Sequence, residues 1–436
     1  MTRKRRIRKP HAMPAQHNSA PVFVEGLDVS AYGITRSLGR YSVSVYALND
    51  KLGDALRYSR YCRDCFIFPD DPTQPRAYVG DIVPNEEVLC GLMLEWGARF
   101  EQKPVLFATS DWFARFLSNQ QQKLAQKFLF HWVAPELFTT ITDKGSMVRF
   151  CERAGVKVPR THITRPEDDM AQVAREFVYP CLVKPVHRYT AGFPVETAKV
   201  LVAQTAQEAQ AFFEKYPQMK GATLMQELIE GGDDQVFQYT ALVNGQGEIA
   251  AHSTVRKLCQ YPPGYGSMCY GQTERNEALV AEGRKLILAL GYRGLGSLEF
   301  KYRQRDGGYY FIEMNTRLPW YNGIFADAGV NLPYLAYLDL TARNAGLSAE
   351  TTSIEQYSPK SAQRDLTTWL GYHNYSSCYR ETKGIRPIGF MKFASSVASA
   401  KSYAWWNWAD PKPFLASGAL TAKRLAGRDL KKMGLR

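Results

Sequence analysis

Long apolar runs are missing from this chain. No stretch approaches the eighteen or more apolar residues of a membrane-crossing helix, so no transmembrane segment is expected. The basic N-terminus lacks the apolar segment of a secretory signal, and its basic residues are clustered rather than spread along an amphipathic helix. A cytosolic location is the resulting expectation. Cysteine is present without a pattern: eight residues at irregular spacing in a chain of 436 do not make a disulfide framework. Cys62-Arg63-Asp64-Cys65 is the one C-x-x-C, and no second Cys or His pair follows at zinc-site spacing, so no structural zinc is expected. Acid is also short, leaving a net charge of +13. That excess sits at the ends. Removing the six basic residues of the first ten and the net five positive charges of the last sixteen leaves about +2 for the rest. A nearly neutral body argues against a nucleic-acid-binding surface and leaves only weak, salt-sensitive RNA or membrane attraction through the tails.

What is present is a chain with 45% hydrophobic residues, enough for a large core divided among two or three domains. Two β-rich runs, Gly294–Tyr302 and Tyr309–Arg317, are joined by Gln304-Arg305-Asp306-Gly307-Gly308, a strong hairpin signal. A turn centred on Asp306 puts Glu299 opposite Glu313, and alternation places Asn315 on the face of Glu313. Three hard oxygen donors then converge, a set suited to Mg²⁺, with Mn²⁺ as a substitute. The plain alternative is a solvated hairpin face. Upstream, Lys184 ends the apolar run Tyr179–Val183, where an ammonium at a strand exit can reach a phosphate. Gln226-Glu227-Leu228-Ile229-Glu230-Gly231-Gly232-Asp233-Asp234 reads as a strand entering a glycine turn followed by acids. Backbone groups there can read an adenine edge, and an acid can take a ribose hydroxyl. Asp143-Lys144 precedes a helix-like stretch.

In that order these pieces resemble the ATP-grasp superfamily, closest to its carboxylate–amine ligases of the D-aspartate-ligase-like kind, over roughly residues 21 to 346. The resemblance implies a mixed α/β (α+β) fold: a Rossmann-like preATP-grasp domain, a small lid domain and a catalytic domain with an antiparallel sheet. On this chain they fall at 21–141, 142–228 and 229–346, between a basic tail at 1–20 and a C-terminal extension at 347–436. It implies that Lys144 and Lys184 hold the ATP phosphates, that Gln226, Glu227 and Ile229 line the adenine, and that Asp233 or Asp234 meets the ribose. Glu299, Glu313 and Asn315 match metal ligands. Arg256, Lys257 and Arg317 would face the γ-phosphate and acyl group. One departure stands out: the loop expected to cover the phosphates carries His187, Arg188, Tyr189 and Phe193 where family versions are rich in Gly and Ser.

The implied activity is ADP-forming amide synthesis through an acyl phosphate, with small, amino-acid-like carboxylate and amine substrates and room for a homodimer. An ATP-grasp kinase, or a non-catalytic nucleotide- or RNA-binding protein, is the alternative. The N-terminal β-α-β start has too poor a glycine pattern for dinucleotide binding. Its strand ends nevertheless offer Gly26, Asp28, Thr109, Ser110 and Asp111 beside an acceptor.

Overall fold

The computed structural model describes residues 20–26, 28–49, 55–68, 85–186, 193, 200–344, 364, 366–380 and 388–420. Both basic tails and all of the phosphate-covering loop except Phe193 lie outside these residues.

The N-terminal unit is a parallel sheet of β1 (Val22–Glu25), β2 (Val45–Asn49), β3 (Cys62–Ile67) and β4 (Val105–Phe107), in the order β3-β2-β1-β4. Strands β1 and β4 are short apolar runs buried on both faces, as interior parallel strands require, whereas the edge strand β3 exposes Arg63 and Asp64. The helix Val29–Gly39 starts where Asp28 accepts from the Ala31 amide at 3.1 Å.

The second unit is a small antiparallel sheet of β5 (Thr161–Ile163), β6 (Cys181–Pro185), β7 (Leu201–Ala203) and β8 (Thr223–Glu227), ordered β5-β8-β6-β7. The helices Met170–Glu176 and Ala206–Lys215 bury Ala174, Ala209, Phe212 and Phe213 against it.

The third sheet has seven strands ordered β13-β12-β9-β10-β11-β14-β15. They are β9 (Val236–Val243), β10 (Ile249–Tyr261), β11 (Ser267–Thr273), β12 (Gly294–Arg303), β13 (Gly308–Asn315), β14 (Thr368–Leu370) and β15 (Ser402–Tyr403). Alternation divides its residues cleanly. Tyr239, Leu298 and Phe300 pack on one face with Leu279, Leu286 and Ile287 of the helix Glu277–Ala289. The opposite face carries Gln238, Lys257 and Glu299, which look toward the second sheet. The helix Lys144–Arg153, read from the sequence as part of the lid, shares the core beneath the third sheet through Met147 and Cys151.

Beyond residue 346, Thr368–Leu370 forms strand β14 and Phe390–Ser399 a helix. The final stretch is also no appendage: β14 pairs with β11, and β15 pairs with β14. Beyond β15, Trp405 stacks on Tyr32 at 5.3 Å, and buried Asp410 accepts from Ser59 Oγ at 2.5 Å and the Arg60 amide at 3.0 Å. No helix among the described residues is long and apolar enough to cross a membrane.

Candidate functional site

The glycine turn at the head of β12 and β13 is held by Asp306, which accepts from the Gly308 amide at 3.1 Å, Tyr310 at 2.6 Å and Arg303 at 2.7 Å. Gly307 sits at φ +63°, where a Cβ is strained. Near the turn Arg303 faces Gly308, a ladder that would bring Glu299 opposite Ile312. A bulge in β13 at Ile312 adds one residue, and Glu299 pairs with Glu313. The pairing matches the sequence reading, but the bulge, rather than the turn alone, produces it. On β9, Gln238 lies opposite Glu299 on the other side, so a row of oxygen-bearing side chains crosses three strands.

This row lies in a cleft of about 2840 Å³ between the second and third sheets. Lys257, 4% exposed, pairs with Glu299 at 2.6 Å and donates to Gln260 Oε1 at 3.0 Å. Burial pushes the Glu299 carboxyl up; the Lys257 charge opposes this and the Glu313 carboxylate reinforces it. Asn315 Nδ2 donates to Glu313 Oε1 at 3.4 Å. Across the cleft, Lys184 is buried and donates to Gln226 Oε1 at 2.7 Å. Burial, helped by the Lys144 charge, holds its ammonium down to about 8, with Glu313 pulling the other way. Lys144 Nζ donates to the carbonyls of Pro185 and Val186 at 3.0 and 3.2 Å.

A hard divalent cation fits this set. Gln238 Oε1 and the Tyr321 hydroxyl are buried in the cleft with no hydrogen-bond partner among the described residues, and two carboxylates stand beside them. Oxygen donors without nitrogen or sulfur suit Mg²⁺ or Mn²⁺.

Of the residues singled out in the sequence, Lys144, Lys184, Gln226, Glu227, Ile229, Asp233, Asp234, Lys257, Glu299, Glu313, Asn315 and Arg317 all line the cleft. Arg256 does not, and its expected place at the reacting centre is corrected. It neighbours Lys257 on a regular stretch of strand and therefore faces the other way. Its guanidinium lies over Phe237 at 5.4 Å, donates to the Asp234 carbonyl at 2.7 Å and pairs with Glu274 at 3.7 Å. Asp233 is engaged as well, accepting from Gln260 N, Gln260 Nε2 and Gly264 N. Asp234, half exposed, keeps its carboxylate 3.4 Å from Arg256. The Glu227 side chain turns to Arg303 at 2.9 Å, so only its backbone and stem are left to face a base. Arg317 pairs with Asp111 at 2.7 Å, joining the C-terminal end of β13 to the N-terminal unit.

Thr109 and Ser110 have another task. Their amides and hydroxyls all donate to Glu25, a buried carboxylate whose pKa burial raises and these bonds lower. Gly26 follows it at φ +88° and donates to the Leu48 carbonyl. Asp28, Thr109 and Asp111 reach the cleft. Sequence reasoning missed Lys301 and Gln238; Tyr321 also turns into the cleft. Lys301 was legible: it stands two residues after Glu299 on the same face and donates to the carbonyls of Gly231 and Gly232 at 2.7 and 2.6 Å.

Known proteins resemble this chain in sequence and in fold. Residues 271–328, which hold Glu299 through Arg317, match the family model of the carbamoyl-phosphate synthase L chain ATP-binding domain. Over 314 residues the chain is 22% identical to D-aspartate ligase of Enterococcus faecium, covering 67% of this chain and 70% of that one. It is 25% identical over 302 residues to biotin carboxylase of Pseudomonas aeruginosa, covering 65% of this chain and 61% of that one. Among solved structures, the biotin carboxylase domain of Hydrogenobacter thermophilus 2-oxoglutarate carboxylase, crystallised with MgADP, superposes with a TM-score of 0.59 at 17% identity, covering 81% of this chain and 74% of that one. An L-amino acid ligase from Bacillus licheniformis gives 0.56 at 15% identity, covering 81% and 79%. With the motif order, the sheets and the carboxylate hairpin in place, the chain shares the fold of ATP-grasp ligases and is similar to them in sequence.

Proposed function

We propose that this chain is an ATP-dependent carboxylate–amine ligase that acts on small, amino-acid-like substrates. One observation carries the reading: a buried cleft in which the paired carboxylates Glu299 and Glu313 face the lysines Lys184 and Lys144. A carboxylate cannot acylate an amine directly, because oxide is a poor leaving group. In the proposed first step a substrate carboxylate oxygen bonds to the γ-phosphorus of ATP, and the bond to the β-phosphate oxygen breaks, releasing ADP. In the second an amine nitrogen bonds to the acyl carbon, phosphate departs, and the amine gives up a proton to solvent. The chain's part is placement and neutralisation of charge. Lys184 supplies positive charge from the second sheet, Lys144 from the first turn of the helix Lys144–Arg153, and Lys257 from the third sheet. Glu299, Glu313 and Asn315 would hold Mg²⁺, which when bound neutralises phosphate charge as a Lewis acid.

The acceptor side is proposed where Arg317 and Asp111 meet near Asp28. Arg317 offers a cation to a substrate carboxylate, and the two acids offer anions to an ammonium, the charge pattern of an amino acid. The names of the Enterococcus and Bacillus relatives agree with that substrate class. Incubation with ATP, Mg²⁺ and pooled amino acids and amines tests the proposal. Pool-dependent ADP and phosphate, with hydroxylamine trapping the acyl group as a hydroxamate, are expected. A phosphorylated product formed without amine would replace the ligase reading with a kinase.

A further inference from the structure

Three cysteines left over by the sequence pattern meet in the fold. Cys259 lies on β10, Cys269 on β11 and Cys378 on the helix Tyr372–Arg380, and their sulfur atoms all lie within 4.8 Å of one another. The Cys269 and Cys378 sulfurs are 3.7 Å apart. A bulge brings this about: the β10–β11 register shifts on both sides of Cys259, which aims its side chain at the helix packed on β11. Cys269 and Cys378 are buried and Cys259 partly so, among Tyr270, Leu370 and Tyr375.

The plain account is three small hydrophobic side chains sharing a core. The geometry goes further. Zinc–thiolate bonds of about 2.3 Å in a tetrahedron put sulfur atoms about 3.8 Å apart. The Cys269–Cys378 separation already has that value, and the third sulfur lies within about 1 Å of it. Sulfur without nitrogen or carboxylate donors selects a soft cation over the hard one suited to Glu299 and Glu313. Cys259 and Cys378 line the cleft whereas Cys269 does not, so the fourth position opens to cleft water.

We infer that Cys259, Cys269 and Cys378 form a Zn²⁺ site that clamps the C-terminal helix Tyr372–Arg380 to the β10–β11 hairpin. Each thiol loses its proton to solvent as its sulfur–metal bond forms, and water completes the coordination. The site is separate from the carboxylate pair and does not depend on the proposed ligase reaction.

The test uses the full chain carrying Cys62→Ser and Cys65→Ser, which removes the C-x-x-C pair as a competing ligand, in the presence of a non-thiol reductant. Titration with Co²⁺ under excess Mg²⁺ should give sulfur-to-cobalt charge-transfer absorption saturating at one equivalent and displaced by Zn²⁺. Zn²⁺ should raise the melting temperature by several degrees, and Cys378→Ser should abolish both effects. Should that variant fail to fold, the zinc-loaded Cys62→Ser/Cys65→Ser chain still decides by X-ray absorption, which should find sulfur neighbours at about 2.3 Å. Absence of the cobalt–thiolate bands, a zinc shell of oxygen and nitrogen alone, or a Cys269–Cys378 disulfide that blocks uptake would overturn the site.

Discussion

Lys184 shows how burial tunes a single side chain for an anion. With its ammonium held down to about 8, the residue loses its charge at a pH where an exposed lysine keeps it. Nucleotide affinity should therefore fall as pH rises through about 8, and Lys184→Met should remove that dependence while weakening binding about tenfold to a hundredfold, the value of a charge-assisted hydrogen bond. Titration with a fluorescent ATP analogue between pH 7 and 9.5 checks both. Stability should move the opposite way. Between about 8 and the ordinary lysine value the unfolded chain holds a proton the folded chain has shed, so stability rises with pH across that window, and Lys184→Met should flatten the rise in urea titrations. Glu313→Ala should abolish ATP turnover in a chain whose circular dichroism is unchanged; normal turnover would remove the metal assignment. Arg256→Ala is the contrasting case. Its contacts with Glu274 and Phe237 lie away from the cleft, so it should cost about 1–2 kcal/mol of stability and leave nucleotide affinity within about twofold.

At the scale of elements, the β12–β13 hairpin is the unit that assembles the site. Its turn was legible because Asp306 and Gly307 announce it between two β-rich runs. The bulge at Ile312 was not legible, since nothing in Tyr310-Phe311-Ile312-Glu313 marks which residue drops out of the ladder. Arg256 illustrates the same limit: its identity suits phosphate, but its face depends on register against β9, which sequence does not display. Gly307→Val should destabilise the hairpin by about 1–2 kcal/mol, because a β-branched residue is strained at φ +63°. Activity should fall although no cleft side chain changes. Chemical denaturation with a parallel ADP assay checks this, and an unchanged midpoint would show that the turn does not hold the pair.

At the scale of the molecule, one core unites segments far apart in the chain. Val22 and Tyr32 of the N-terminal unit share it with Ile324, Leu335, Trp369 and Ala404. Truncation after residue 346 should therefore leave an insoluble or partly unfolded chain, since it bares the β11 edge and removes the buried Trp369. A soluble fragment with a cooperative melt would contradict this. Local pattern determined a good deal by itself: the order of motifs, the parallel start, the carboxylate hairpin, the lysine at a strand exit and the absence of an apolar span. Such features depend on neighbours within a few residues, where side-chain period and turn chemistry act. Tertiary structure alone decided that Arg256 turns away while Gln238 and Tyr321 turn in. It also decided that Thr109 and Ser110 serve Glu25, that the C-terminal strands complete the third sheet, and that three scattered cysteines converge. Those outcomes rest on register, bulges and contacts between segments tens to hundreds of residues apart, and no local period encodes them.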